Sequence, residues 1–223
     1  MRGISTRLAH REPRHAPSAL ARCESQSATV ARKRLQRRIS KDTIQVVYQI
    51  HQTEQYARWF DGLRDRQARA RILVRIRRLS LGGMGDAKRL GGGVLELKVD
   101  YGPGYRIYVA RRGQGAGAGP SAGGHMSGVS TRTWDAADHL RSREDMAAYL
   151  EAALEDGSAV VVAAALGDIA RASGMSAVAR ESGLGRESLY KALSPGGNPE
   201  LATVLKVVHA LGLRLHAGAA DSS

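Results

Sequence analysis

The 223-residue chain has one cysteine, Cys23, and few aromatic residues: two tryptophans, seven tyrosines and one phenylalanine. A single cysteine excludes an intramolecular disulfide framework and a cysteine-based zinc site. The seven histidines are scattered without the pair spacing of a metal-binding helix, so we expect neither a metal nor a cofactor. No apolar run approaches the roughly 20 residues of a membrane-spanning helix, and we therefore expect no membrane partner.

Acidic residues are scarce in the first half of the chain. Residues 1–112 carry 25 Lys and Arg against 9 Asp and Glu, a net charge of +16, whereas residues 113–223 carry 9 against 12, a net charge of −3. The change falls at residues 113–124, GQGAGAGPSAGG, a composition typical of a linker. Two modules of opposite charge are expected to bind each other, and the excess of positive charge favours a nucleic acid as partner.

Composition and periodicity divide the chain into five segments: a basic disordered tail (1–42), a basic module (43–112), a Gly/Ala/Ser-rich linker (113–132), an acidic module (133–217) and a short tail (218–223). Residues 1–40 are rich in arginine but lack the 7–15 residue apolar core of a secretory signal. A disordered tail or upstream sequence translated from a misplaced start fits them best, and an organelle transit peptide is the alternative. We expect the protein in the cytoplasm.

The basic module begins with an alternating apolar run from Ile44 to Ile50, which predicts a half-buried strand. Thr53 is expected to cap a first helix and Asp65 a second, and the short connection between them predicts an antiparallel helical hairpin. The second helix has an apolar stripe (Ile72, Leu73, Ile76, Leu79). Its other face carries six arginines, for which a solvated surface and an RNA contact are equally good interpretations: Arg66, Arg69, Arg71, Arg75, Arg77 and Arg78.

The segment VLELKVDYGPGYRIYVAR, residues 94–111, predicts a hairpin of two alternating strands. A three-residue loop, Gly102–Gly104, would pair Tyr101 with Tyr105 and Val99 with Ile107. The apolar side chains would then face the helices. The opposite face would bring together Glu96, Lys98, Arg106 and Tyr108. Cationic groups there could stabilise a pentavalent phosphate, and Tyr or Lys could transfer a proton without a metal. Cross-strand charge pairing on an exposed face is the alternative.

The segments QTEQYARWFDGLRDRQARARI and GDAKRLGGGVLELKVDYGPGYRIY, with the RRG that ends the module, resemble the RelE/ParE toxin superfamily, and its HigB-like "addiction module killer" branch in particular. The resemblance covers about 65 residues. It implies an α+β fold and a ribosome-dependent, metal-independent mRNA endonuclease that a cognate antitoxin inhibits. Matching motif positions place the catalytic role on Arg106, and with less certainty of position on Lys88, Lys98 and Tyr108.

This module departs from the toxin pattern at its end. In those toxins a further hydrophobic strand and a Gly-Gly-Asp-Lys segment follow the RRG, whereas here the Gly-rich linker follows. Such a composition does not form a core strand. We therefore expect a toxin module truncated at its C-terminal strand, with an impaired active site.

The acidic module is expected to be all-α. Ser142 is expected to cap a first helix that ends near Leu154. A second helix is expected over residues 158–172. In MSAVARESGLGRESLYKAL, the spacing of Ala179, Gly183 and Leu189 is that of a helix-turn-helix. Asn198 and Pro199 would begin the last helix, whose apolar stripe is expected to contain Leu201, Val204, Leu205, Val208 and Leu211.

The second helix of the motif, residues 186–193, would enter the major groove of DNA. Candidate DNA contacts are the polar or exposed positions Ser176, Arg186, Glu187, Ser188, Tyr190 and Lys191. Arg or Lys could read guanine edges, and Ser176 and Tyr190 could contact phosphate. An all-α protein-binding domain is the alternative. Since one copy carries little positive charge, a homodimer is expected.

The acidic module resembles the HigA-like "addiction module antidote" antitoxins over DHLRSREDMAAYLEAALEDG and the segment from AAALGDIARASG to VVHALGLRL. Met126 lies where such an antitoxin would begin. The two resemblances together predict a fused toxin–antitoxin polypeptide, arising by selection or by a frameshift between neighbouring genes. Its expected partners are operator DNA, the ribosome and mRNA if the toxin half is active, and its own other half through an intramolecular or domain-swapped contact.

Overall fold

The computed structural model describes residues 19–25, 48–112 and 131–217, with the backbone alone for 19–25, 111 and 112. The described residues of the N-terminal half (1–112) form an α+β unit, and the C-terminal half, residues 131–217, is mainly helical. The N-terminal elements are β1 (Ala19–Ser25), β2 (Tyr48–Thr53), α1 (Glu54–Asp61), α2 (Arg66–Ser80), β3 (Ala87–Gly91), β4 (Val94–Val99) and β5 (Tyr105–Arg112). The C-terminal elements are β6 (Thr131–Thr133), a 3-10 turn (Ala136–His139), α3 (Arg143–Asp156), α4 (Ala159–Ser173), α5 (Met175–Ser182), α6 (Arg186–Ala192) and α7 (Leu201–Ala210).

The described strands form one sheet in the order β3-β4-β5-β1-β2-β6. Neighbouring strands are antiparallel except β1 and β5, which are parallel. The short strand β6 belongs to the C-terminal half and pairs with the edge of β2, and the Trp134 N–H donates to the Ile50 carbonyl at 2.9 Å. The two halves therefore share a sheet.

Strand β1 corrects the prediction that residues 1–42 are a disordered tail, because residues 19–25 occupy the sheet between β5 and β2. The remainder of that segment, residues 1–18 and 26–42, lies outside the described residues, as do Ile44 and Val46. The position beside β5 is thus held by an upstream strand. The predicted truncation implied a sheet that ends at β5, whereas in the structure β1 continues the sheet beyond β5. Residues 113–130 of the predicted linker are not described, whereas Thr131 and Arg132 lie in β6.

Both helix caps predicted for the N-terminal half are confirmed. The Thr53 hydroxyl accepts a hydrogen bond from the Tyr56 N–H, and the Asp65 carboxylate accepts one from the Ala68 N–H. These side chains satisfy N–H groups that lack a partner at a helix start, so each helix begins where its cap lies. The predicted inner stripe of α2 is buried at all four positions: Ile72, Leu73, Ile76 and Leu79.

In the β4–β5 hairpin the side chains lie on the predicted faces of the sheet, but the register of the two strands differs from the prediction. Val99 pairs with Tyr105, and Lys98 pairs with Arg106, so the connection is five residues long rather than three. The predicted pairing of Tyr101 with Tyr105 is wrong. A change of two residues leaves every side chain on its predicted face, because strand side chains alternate with a period of two.

Ser142 caps α3 as predicted, since its hydroxyl accepts from the Asp145 N–H at 3.1 Å. In the helix-turn-helix, Gly183 has φ of 67°, which glycine adopts without strain, and Leu189 is fully buried. Helix α7 begins at Leu201 after Glu200, not at Pro199. Its buried face contains Val207, Val208 and Leu211, while Leu201 and Leu205 of the predicted stripe are exposed.

Candidate functional site

The contact between the two halves is the most charged feature of the described structure. Helix α2 of the N-terminal half packs against α3 and α4 of the C-terminal half. We call the charged part of this contact the seam; it consists of α2 arginines and the carboxylates that they meet. Its four ion pairs are Arg66–Asp145 at 3.2 Å, Arg71–Glu155 at 2.7 Å, Arg77–Asp168 at 2.9 Å and Arg78–Asp156 at 2.8 Å.

These pairs are a third use of the α2 arginine face, besides a solvated surface and an RNA contact. Four of the six arginines form ion pairs with the C-terminal half, and the Arg66 side chain stays 53% exposed. The other two serve their own half: Arg75 donates to the Met84 carbonyl at 2.9 Å, and the Arg69 guanidinium lies 5.2 Å from the centre of the Phe60 ring. The opposite charges of the halves led us to expect that they bind each other. In the structure, the two halves of one chain are in direct contact through these ion pairs.

Asp168 lies at the buried centre of the seam. Its side chain is only 1% exposed. Its Oδ1 accepts from Arg171 at 2.7 Å and forms an ion pair with Arg77 at 2.9 Å. Its Oδ2 accepts from the Tyr149 hydroxyl at 2.9 Å. Burial raises the pKa of the Asp168 carboxyl, and the two arginines oppose that shift by favouring the carboxylate. Burial also holds the pKa of Tyr149 well above its usual value, so its hydroxyl stays protonated and donates.

His139 is a second buried polar group between the halves. Its ring packs edge-on against Phe60 of α1, with 4.8 Å between ring centres. Neither ring nitrogen has a hydrogen-bond partner among the described residues. Burial is the main cause that lowers the pKa of this imidazole, so the neutral form fits the contact.

Sequence patterns did not identify Asp168, Tyr149 and His139 as parts of this contact. Asp168 lies within the apolar run of α4. An acidic residue in such a run can be recognised as buried only when the cation that pairs with it is known. That partner, Arg77, comes 91 positions earlier in the chain. Only the packing of the two halves brings them together.

The four predicted catalytic residues lie on one face of the sheet. Lys88 pairs with Glu96, which pairs with Tyr108, and Lys98 pairs with Arg106. This polar face is opposite the one that packs on the helices, and the Lys98 and Arg106 side chains are 54% and 48% exposed. Lys98 lies 2.7 Å from Asp100, and Arg106 Nε lies 3.8 Å from Glu96 Oε1. The face offers three cations for a phosphate, and its catalytic role stays a prediction.

The predicted DNA-contacting residues are exposed on the helix-turn-helix. Ser176 lies at the start of α5, and the others lie on α6: Arg186, Glu187, Ser188, Tyr190 and Lys191. Buried Leu189 anchors α6 to the core and turns these side chains outward. The Arg186 guanidinium lies 5.7 Å from the centre of the Tyr190 ring. The geometry allows a groove contact, and that role also stays a prediction.

Within the described ranges, no group of three or more His, Cys, Asp or Glu side chains is arranged to hold a metal ion. In the same ranges no single helix is long and apolar enough to cross a membrane. Helices α4 and α5 pass that test of length and composition only as a pair bent by 108°.

One comparison with known proteins assigns a family to the C-terminal half. The model of a family described as "probable addiction module antidote protein" matches residues 130–219. An uncharacterized protein of Haemophilus influenzae is 49% identical over 83 residues, which are 37% of this chain and 86% of that relative. The chain belongs to this antidote family. We therefore call residues 131–217 the antidote half, and family membership indicates a role in a toxin–antitoxin system.

A second uncharacterized protein of Haemophilus influenzae is 41% identical to the chain over 61 residues. Those residues are 27% of this chain and 62% of that relative, so the chain spans less than two thirds of it. No solved structure matches the chain. The RelE-like fold of the N-terminal half therefore has no confirmation from a structural neighbour.

Proposed function

We propose that the chain is a type II toxin–antitoxin pair on one polypeptide. The antidote half neutralises the toxin-like N-terminal half and binds operator DNA to repress its own gene. The seam is the observation that carries this proposal: the acidic helix of an antidote-family domain lies on the arginine face of a basic α+β unit in the same chain. A cytoplasmic location is part of the proposal.

The DNA-binding part of the proposal places α6 in the major groove. Arg186 and Lys191 are exposed on that helix and could pair with guanine edges. Since one chain has one recognition helix, two chains would bind two half-sites about one helical turn apart, as a homodimer.

A gel-shift experiment with the DNA upstream of the gene tests this part. Arg186→Ala should weaken specific binding about 5- to 100-fold, because one good bidentate pair contributes ~1–3 kcal/mol of discrimination. Lys206→Ala is the matched control, since it removes one exposed cation on α7 instead. Absence of any shifted band at low salt would contradict operator binding.

A second candidate function is mRNA cleavage by the N-terminal half, held in check by the antidote half. The cluster of Lys88, Lys98, Arg106 and Tyr108 on one exposed sheet face favours it. Arg106 and Lys98 would stabilise the charge that develops on a phosphate, and Tyr108 would transfer a proton. An inert protein-binding remnant is the alternative.

Growth of a host that expresses residues 1–112 alone tests cleavage. The fragment should arrest growth, Arg106→Ala should relieve the arrest, and the full chain should be harmless. A fragment that melts cooperatively by circular dichroism yet does not arrest growth would support the inert remnant. In that case the antidote half would be the part of the chain that acts.

A further inference from the structure

The four ion pairs of the seam differ in burial. Arg66 is 53% exposed in its pair with Asp145, and Glu155 is 49% exposed in its pair with Arg71. Arg77 and Asp168 are 18% and 1% exposed. Exposed pairs contribute little to a contact and tolerate substitution, whereas removal of one partner of a buried pair leaves a charge without compensation. The Arg78–Asp156 pair lies between these extremes, with side chains 37% and 11% exposed. The seam therefore has exposed, permissive pairs and one most buried, demanding pair, Arg77–Asp168.

The antidote half itself orients the demanding acceptor. The Tyr149 hydroxyl, from α3, holds one oxygen of Asp168. Arg171, one turn further along α4, holds the other oxygen and also pairs with Asp135 at 2.7 Å. Two contacts within the antidote half thus orient the carboxylate, and Oδ1 also pairs with the guanidinium of Arg77.

We infer that Asp168 is the residue by which the antidote half selects its partner, and that it selects a helix carrying arginine at the position of Arg77. This inference rests on the proposed function, because it names the specificity determinant of the neutralising contact. A helix with a neutral residue at that position leaves Asp168 buried with one cation fewer. A helix that lacks arginine at the position of Arg66 loses only a solvent-exposed pair.

The test uses the full chain with a protease site inserted within residues 113–130, cut after folding so that every residue is present. The affinity of the two pieces is measured by surface plasmon resonance with the antidote piece tethered. Arg77→Gln should weaken it at least about 30-fold, because the pair is buried. Arg66→Gln is the matched control, since it removes the same charge from the same helix, and it should stay within about fivefold.

The outcomes separate the inference from the proposed function. Equal weakening by the two substitutions would overturn the inference and leave neutralisation intact. Separation of the unsubstituted pieces at micromolar concentration would overturn both. If circular dichroism shows that Arg77→Gln does not fold, Tyr149→Phe decides. Loss of that hydroxyl should weaken the affinity about 5- to 10-fold, and unchanged affinity would overturn the inference.

Discussion

His139 makes the contact between the halves sensitive to acid. Burial lowers its pKa in the folded chain below the ordinary 6.5. The groups that act on it are Asp61 and Asp138, which raise its pKa, and Arg69 and Arg132, which lower it. The folded state binds fewer protons than the unfolded state below pH 6.5. The contribution of His139 to the free energy of unfolding is therefore largest above that pH and falls as the pH drops through it.

We expect His139→Phe to reduce this pH dependence. The variant keeps a ring against Phe60 and cannot titrate. Between pH 7.5 and 5.5 its free energy of unfolding should fall less than that of the wild type, because the neutral ring takes up no proton on unfolding. Urea unfolding at the two pH values measures it. His209→Phe, at an exposed position of α7, is the control, and equal slopes in both variants would contradict the prediction.

Gly167 marks a close approach between α4 and the end of α6. A Cβ atom built there would lie 2.6 Å from the carbonyl oxygen of Leu193, closer than such atoms pack. Alanine improves helix propensity by about 1 kcal/mol, but overpacking against backbone costs about 1–3 kcal/mol. Gly167→Ala should therefore lower the melting temperature, and Gly196→Ala, with open space around it, should not. A higher melting temperature for Gly167→Ala would show that the helices can move apart.

At the scale of elements, two serines at helix starts differ in one hydrogen bond. Ser142 accepts from the Asp145 N–H, whereas Ser158 before α4 makes no side-chain cap bond. Ser142→Ala should cost about 1 kcal/mol in urea unfolding, because it leaves that N–H without its side-chain partner. Ser158→Ala should change the free energy of unfolding by only a few tenths of a kcal/mol, because no side-chain cap bond is lost. Equal losses would mean that the cap bond is not the cause.

The elements that sequence patterns predicted well are those with a local physical cause. Thr53, Asp65 and Ser142 start helices because their side chains bond to backbone N–H groups three residues on. Helix α7 begins at Leu201, two residues after the start predicted at Pro199. Burial of Val207 and Val208 set its inner face, and this left Leu201 and Leu205 outside. Periodicity alone does not show which of two overlapping stripes will find a partner.

At the scale of the whole molecule, residues 1–42 can be interpreted as a disordered tail or as a segment that contributes strand β1 to the sheet. A disordered tail could be removed without loss, whereas removal of β1 would leave unpaired edges on β5 and β2. We expect deletion of residues 1–42 to lower the melting temperature and to promote aggregation, since open edges pair with other chains. Deletion of residues 1–18, which retains β1, is the control. Equal melting temperatures and solubility for the full chain and the longer deletion would favour the tail.

The same distinction applies to the candidate sites. Alternation along β4 and β5 was enough to place Lys98, Arg106 and Tyr108 on one face, because that arrangement depends only on strand parity. The spacing of Ala179, Gly183 and Leu189 was enough to predict the turn that exposes α6. Local sequence patterns could not predict the seam. It pairs Arg77 with Asp168 and Phe60 with His139, which are far apart in the chain, and no local pattern encodes which surfaces meet.

Charge and periodicity along the chain therefore predicted that a basic module of strands and helices and an acidic helical module would be joined and would attract each other. Attraction between net charges acts over a distance of about 10 Å and does not specify orientation. The tertiary structure decided the orientation: it chose α2 as the docking face, buried one ion pair among exposed ones, and added β6 and β1 to the sheet. Those choices depend on short-range packing and desolvation, which exist only once the two surfaces are in contact.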